Sequence, residues 1–256
     1  MNISSVSNYS VYRNYQSLAS GKKINSAADD AAGLAIAQKL NSQTNGYDVG
    51  YRNAGTSQDM LNVADGALGS ITENLQRIRE LSVQASNGLY TDADRGAIQK
   101  EIDQLKQSIS DTASQTQFNT KNLLDGTMGN TNVATGPDGT GMEIQMPNAT
   151  LKALGIEDYD VSKGNFDISV IDDALEKVNS ARSGIGASYN RLDSVMAYNA
   201  NASYNLTASQ SRIEDLDYSK GVSELKRNEL LRTFHVMMQR KQIENENGRV
   251  LQLFRS

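Results

Sequence analysis

The sequence predicts a mainly α protein: long antiparallel helical rods of coiled-coil type, interrupted by a small β-containing excursion. Three observations carry this expectation. Apolar residues recur at alternating steps of three and four over long stretches. Proline occurs only at Pro137 and Pro147, which leaves long segments on both sides free of the strongest helix breaker. Hydrophobic residues make up 38% of the chain and aromatic residues 6%, which suits narrow buried stripes better than one broad core.

The first stripe runs Leu61, Ala64, Leu68, Ile71, Leu75 and Ile78, meets Ser82 where an apolar residue would fit, and resumes at Ala85. Asn87-Gly88 is expected to end this helix, because both residues tolerate a left-handed C-cap. Thr91 and Asp94 then have the spacing of a capping box, with Asp where Glu or Gln is usual. The second stripe is Ile98, Ile102, Leu105, Ile109, Thr112 and Thr116. The short connection between the two implies antiparallel neighbours.

From Asn119 to about Asp167 the pattern changes. Five glycines (Gly126, Gly129, Gly136, Gly139, Gly141) and both prolines break any helix, and MEIQM and NFDISVI alternate well enough to be short strands. The third stripe is the most regular. Ile171, Val178, Ile185, Leu192, Asn199, Leu206 and Ile213 fall every seventh residue, with Ala174, Ala181, Ser188, Val195, Ala202, Ser209 and Leu216 at companion positions. A helix of about 45 residues would be about 70 Å long. Asn199 at a core position is expected to fix register. Small and polar seam residues weaken an isolated coiled coil, so the stripes are expected to find much of their burial against further copies of the chain. The positions assigned to that packing are Leu61, Leu68, Ile71, Leu75, Ile78, Ile185, Leu192, Ile213 and Leu216.

Charge and motif content narrow the function. The 25 basic and 30 acidic residues are interspersed, for a net charge of -5, with no basic block to track a phosphate backbone; nucleic acid is not an expected partner. No apolar run reaches the roughly 18 to 20 residues of a bilayer span, so no membrane insertion is expected. The first residues lack the basic start and apolar core of a signal peptide. Cysteine is absent, which removes disulfides, thiol catalysis and thiolate metal sites.

Catalytic, cofactor and metal sites are all expected to be absent, and the chain is read as no enzyme. Asp158-Tyr159-Asp160-Val161-Ser162 mimics the start of a calcium loop, but Lys163 and Ser169 stand where glycine and a bidentate Glu are wanted. Gly184-Ile185-Gly186 is half a dinucleotide fingerprint in the wrong setting and reads instead as close helix contact. His235 is the lone histidine and has no zinc or hydrolase motif beside it. Asp29-Asp30 and Asp172-Asp173 point about 100° apart on a helix and read as N-terminal residues of helices, not as acid/base pairs.

Several segments resemble bacterial flagellin. LASGKKINSAADDAAGLAIAQKL (18–40), LQRIRELSVQASNG (75–88), QTQFNTKNLLDG (115–126), ARSGIGASYNRLDS (181–194) and SRIEDLDYSKGVSELKRNELL (211–231) match flagellin motifs in the same order. The resemblance implies a flagellin-like subunit with an inner filament-core segment over 1–29, a rod domain whose arms are 30–126 and 168–216, a small excursion over 127–167, and a C-terminal inner helix over 217–256. The segment before LASGKKINSA is shorter than in typical flagellins, so a truncated N-terminal inner helix is expected, and FHVMMQRKQIENENGRVLQLFRS is bulkier and more charged than usual there. The implied function is a structural subunit that polymerises into the flagellar filament for motility. Alternatives are a hook-filament junction protein and a secreted, non-polymerising flagellin-like protein. Implied partners are further copies in a helical homopolymer, an export chaperone and the filament cap. The implied location is extracellular, after type III export. Residues 1 to about 25 and about 217 to 256 have weak apolar stripes that cannot offset ordering entropy alone, so both ends are expected to be mobile in the monomer. Flagellins also present an arginine, a leucine and a glutamate, here Arg77, Leu81 and Glu101, to the host innate receptor, Toll-like receptor five. Arg77 and Leu81 are four residues apart and share a face. The seam uses Leu75, Ile78 and Ala85, so Leu81 is expected off that stripe as a small apolar anchor.

Overall fold

The computed structural model describes residues 3–253, with side chains from Tyr9 to Gly248. The expectation of mobile ends includes residues 1–2 and 254–256, which lie outside the described residues. In chain order the elements are α1 (Ile3–Ser20), α2 (Ala31–Ala85), α3 (Asp92–Gln115), β1 (Gln117–Phe118), β2 (Lys121–Asn122), β3 (Asn130–Ala134), β4 (Gly141–Gln145), α4 (Leu151–Leu154), α5 (Ser169–Glu214) and α6 (Tyr218–Leu253). They form two compact units, one of Met1–Thr44 with Tyr204–Ser256, the other of Asn45–Ser203.

In the unit that holds the chain ends, α1 packs against α6, and the Tyr15 hydroxyl donates to Glu229 Oε1 at 2.6 Å. A short link ties the segment after α1 to the end of α5. Lys23 N donates to Glu214 O at 2.7 Å, and Leu216 N donates to Gly21 O at 2.9 Å. Gly21 sits at φ 70, a left-handed conformation that only glycine adopts freely. Asp30 caps α2 by accepting from Gly33 N at 2.9 Å. Asp29 accepts from the backbone of Asn25 and Ser26 and pairs with Arg13. Asp30 thus serves the helix start as expected, whereas Asp29 closes the turn before it.

In the other unit α2 runs antiparallel to both α3 and α5. Arg77 reaches Glu101 while Asn74 reaches Ser108, and Arg79 reaches Asp172 while Arg182 reaches Asp65. The stripes therefore meet one another. Leu61, Leu68, Ile71, Leu75, Ile78 and Leu192 are fully buried and Ile185 nearly so, in one core with Ile98, Ile102 and Ile109. This corrects the expectation that these positions wait for other copies: α2, α3, α5 and the excursion of one chain already cover them. Ile213 and Leu216 are only half-buried, and Leu216 lies beyond the end of α5.

The α2–α3 connection holds one confirmation and one correction. Thr91 and Asp94 make the capping box in both directions. Neither Asn87 nor Gly88 takes a left-handed cap. The Asn87 N–H closes back to Gln84 O at 3.1 Å, and its side chain accepts from Leu89 N at 3.0 Å, so a tightened last turn ends the helix.

Two small antiparallel sheets form, the first just before the excursion and the second within it. Gln117 pairs with Asn122 and Phe118 with Lys121, around Asn119 and Thr120 at φ 47 and 65, the positive values a two-residue hairpin needs. β3 pairs with β4 from Asn130↔Gln145 to Ala134↔Gly141, so MEIQ is a strand as expected. NFDISVI is not. Asp167 Oδ1 accepts from Ser169 N at 2.9 Å and starts α5, and Ile171 enters the helical stripe. A helix cap competes for the same residues and wins because the stripe after it has a partner.

Candidate functional site

The residues flagged for chemistry resolve into structural roles or open surface. Asp160 Oδ1 accepts from Ser162 N at 2.7 Å, a local turn at the start of the supposed calcium loop. His235 is exposed on α6. Among the described residues no three His, Cys, Asp or Glu side chains gather as metal ligands. A Cβ added to Gly184 or Gly186 would meet nothing within 4 Å. These glycines make no close helix contact inside the chain, contrary to expectation, because it is Ile185 between them that turns to the core.

What remains is surface. Arg77 donates to Glu101 Oε1 from Nε at 3.0 Å and from Nη2 at 2.7 Å, and to Glu80 at 3.1 Å. Arg77 and Glu101 are both about half exposed, and the bonds to Glu101 raise the guanidinium pKa further above its ordinary value. Leu81 does not share this surface. It is 2% exposed and belongs to the core. The buried stripe of α2 here includes Ile78, Leu81, Ser82 and Ala85, one residue wider than an alternating seam, because α2 has two helical neighbours.

Sequence reasoning missed a set of polar side chains that grip the excursion by its backbone. Asn53 Nδ2 donates to Ala134 O and Asn199 Nδ2 to Thr135 O, each at 2.8 Å. Asn199 therefore meets a hairpin and not a helix partner, which corrects its assignment to helix register. Gly50 lies beneath the same carbonyl: a Cβ there would stand 2.0 Å from Thr135 O. Gln99 accepts from Val161 N at 2.8 Å, Lys106 donates to Glu157 O at 2.6 Å, and Lys177 donates to Leu154 O at 3.0 Å. The only available signal was a polar residue on a helix stripe, which does not name its partner.

The chain-end unit exposes large apolar side chains. On α6 these include Leu230, Leu231, Phe234, Val236, Met237, Met238 and Ile243, and on α1 Tyr9, Tyr12 and Tyr15. A water-facing helix of a monomer rarely has so many. Residues 2–129 match the bacterial flagellin N-terminal helical region, and residues 168–254 match the bacterial flagellin C-terminal helical region.

The chain belongs to the bacterial flagellin family.

It is similar to the flagellin of Halalkalibacterium halodurans, 37% identical over 246 residues that cover 94% of this chain and 90% of the relative. The 33 kDa flagellar filament core protein of Treponema phagedenis is 38% identical, with 88% and 85% covered. The flagellin of Bacillus subtilis is 34% identical, with 100% and 96% covered. A crystal structure of Bacillus cereus flagellin matches at a TM-score of 0.52 and 30% identity, over 58% of this chain and 88% of that one. The fold is flagellin-like, and this family member is a structural filament subunit; the junction-protein and non-polymerising alternatives are not favoured. The flagellin family is structural and not enzymatic. No helix among the described residues is long and apolar enough to cross a membrane.

Proposed function

We propose that copies of this flagellin meet through the chain-end segments, 1–29 and 217–256, whose inner helices stack around a screw axis. The arms, 30–126 and 168–216, form the surrounding shell, with 127–167 as the excursion. The observation that carries this is the exposed apolar face of α6, centred on Leu230, Phe234 and Met237. Burial against a like surface would remove several large side chains from water, at about 1.5–3 kcal/mol each. Repeating head-to-tail contacts that do not close give a filament. A chaperone shields α6 beforehand, for which the apolar face is the support, and the subunit leaves through the flagellar export apparatus and is received at the tip by the cap, for which family membership is the support. The test is seeded polymerisation followed by electron microscopy. Wild-type protein should extend seeds, and Phe234→Asp should fold but fail to extend them. A wild-type chain that stays monomeric at high concentration with seeds overturns the reading.

A second reading concerns recognition by Toll-like receptor five. Arg77 and Glu101 support it as a charged, half-exposed pair bridging α2 and α3. Leu81 contributes from below, by holding the two helices together, and not as a contact anchor. Binding of monomer to the receptor ectodomain tests this. No binding by wild type at about micromolar concentration, a level worth roughly 8 kcal/mol, leaves the pair a purely structural one.

A further inference from the structure

Burial sorts the methionines. Met60, Met142 and Met146 lie in the core, and Met128 and Met196 are half-buried. Met237 and Met238, adjacent on α6, are 60% and 45% exposed. Thioether oxidation follows the access of oxidant to sulfur. The chain also has no cysteine, so no thiol within the subunit intercepts an oxidant first. These methionines are placed where a change in polarity matters. Leu230, Phe234 and Met237 are four and three residues apart and share one face, and Leu231 and Met238, seven apart, extend its flank.

We propose that Met237 and Met238 are reversible oxidation sites through which a peroxide withdraws the free subunit from assembly. The consequence for assembly rests on the filament reading above. In the step, a lone pair of the Met Sδ attacks one oxygen of the peroxide, the O–O bond breaks as an S–O bond forms, and the proton of the attacked oxygen passes to the departing hydroxide, which leaves as water. Sulfur loses two electrons and the peroxide gains them. The product is a polar, chiral sulfoxide in place of a flexible apolar tip, and on a face that must lose its water it would leave an S–O dipole without a partner. Reversal is the work of a methionine sulfoxide reductase driven by external thiols.

The test treats unassembled full-length chain with hydrogen peroxide, maps sulfoxides by peptide mass spectrometry, and then measures seeded growth. Met237 and Met238 should gain oxygen at doses that leave Met60, Met142 and Met146 intact, and treated protein should lose seeded growth. Sulfoxide reductase should restore it. In a Met237→Leu/Met238→Leu variant, which has no thioether on this face, peroxide should leave seeded growth at the variant's own untreated rate, whatever that rate is. Equal oxidation of buried and exposed methionines overturns the site. Oxidised wild type that grows as fast as untreated protein, or a double variant that peroxide still disables, overturns the consequence. Untreated wild type that does not grow at all sinks the filament reading and the consequence with it, whereas the sulfoxide map alone decides the site.

Discussion

The Tyr159 hydroxyl donates to Ser82 Oγ at 2.9 Å, at the place where the apolar stripe of α2 breaks. Ser82 is fully buried and in turn donates to Ile78 O at 2.7 Å. A serine in a row of Leu and Ile is thus the receptor for a buried tyrosine from the excursion. Burial raises the Tyr159 pKa, which keeps the hydroxyl a donor. Ser82→Ala strands that hydroxyl and should cost about 1–3 kcal/mol, whereas Tyr159→Phe should cost only about 0.5–1.5. The double variant should cost less than the sum, because both changes delete one bond. Urea unfolding of the four proteins checks the cycle; strict additivity would mean that the bond contributes nothing.

Two glycines of α2 should respond in opposite directions to alanine. Gly66 is exposed with nothing within 4 Å of a Cβ, so Gly66→Ala should stabilise by about 0.5–1 kcal/mol through helix propensity. At Gly50 the same gain is outweighed by the 2.0 Å approach to Thr135 O, and Gly50→Ala should destabilise and release the β3–β4 hairpin. Thermal melts, with amide exchange over 130–145, read both effects. Equal stabilisation at the two sites would show that the hairpin is not seated on α2.

Leu81 and Arg77 should separate packing from recognition. Leu81→Ala opens a core cavity and should cost about 2–5 kcal/mol. Arg77→Ala breaks a half-exposed ion pair and should cost about 0–1. Receptor binding is therefore interpretable for Arg77→Ala and Glu101→Ala, which should weaken it without shifting the melting curve. A melting loss for Arg77→Ala as large as that for Leu81→Ala would mean the pair holds the helices together.

The link between Lys22 and Glu214 should make the chain-end unit sensitive to acid. Lys22 Nζ donates to Glu214 Oε1 at 2.6 Å, and this bond, then that from Gln210, lowers the Glu214 pKa. A depressed folded pKa contributes stability above the unfolded value of about 4.3, and that contribution is lost as pH falls through the folded pKa. Asp29, held down first by the Asn25 N–H, adds a contribution of the same sign. Melting temperature should fall on acidification below about pH 4, and Glu214→Gln should be less stable at neutral pH and flatter across that range. A parallel pH profile for wild type and variant would remove Glu214 from the account.

Limited proteolysis of monomer should trim both ends before the Asn45–Ser203 unit. Every described α6 residue from Leu230 to Gly248 is exposed, and a segment with few buried contacts opens at low cost. Equal protection of the ends and the middle would contradict this.

From the sequence alone, three helical stripes and one helix start were legible. Periodicity set the stripes of α2, α3 and α5, Thr91 and Asp94 set a cap, and the motifs carried the family resemblance. These are local features, decided within a few turns of one helix. Tertiary structure alone decided what each stripe touches. Leu61 through Leu192 were legible as buried, but a stripe does not say whether its partner is another copy or another arm of the same chain. Leu81 was misplaced because a helix between two neighbours buries a wider face than a two-stranded seam. Asn199, Ser82 and Gly50 looked like flaws in a coiled coil until the excursion lay against them. A polar group or a missing Cβ is a defect only until a carbonyl or hydroxyl arrives from a distant part of the chain, and that arrival depends on long-range folding, not on the local pattern.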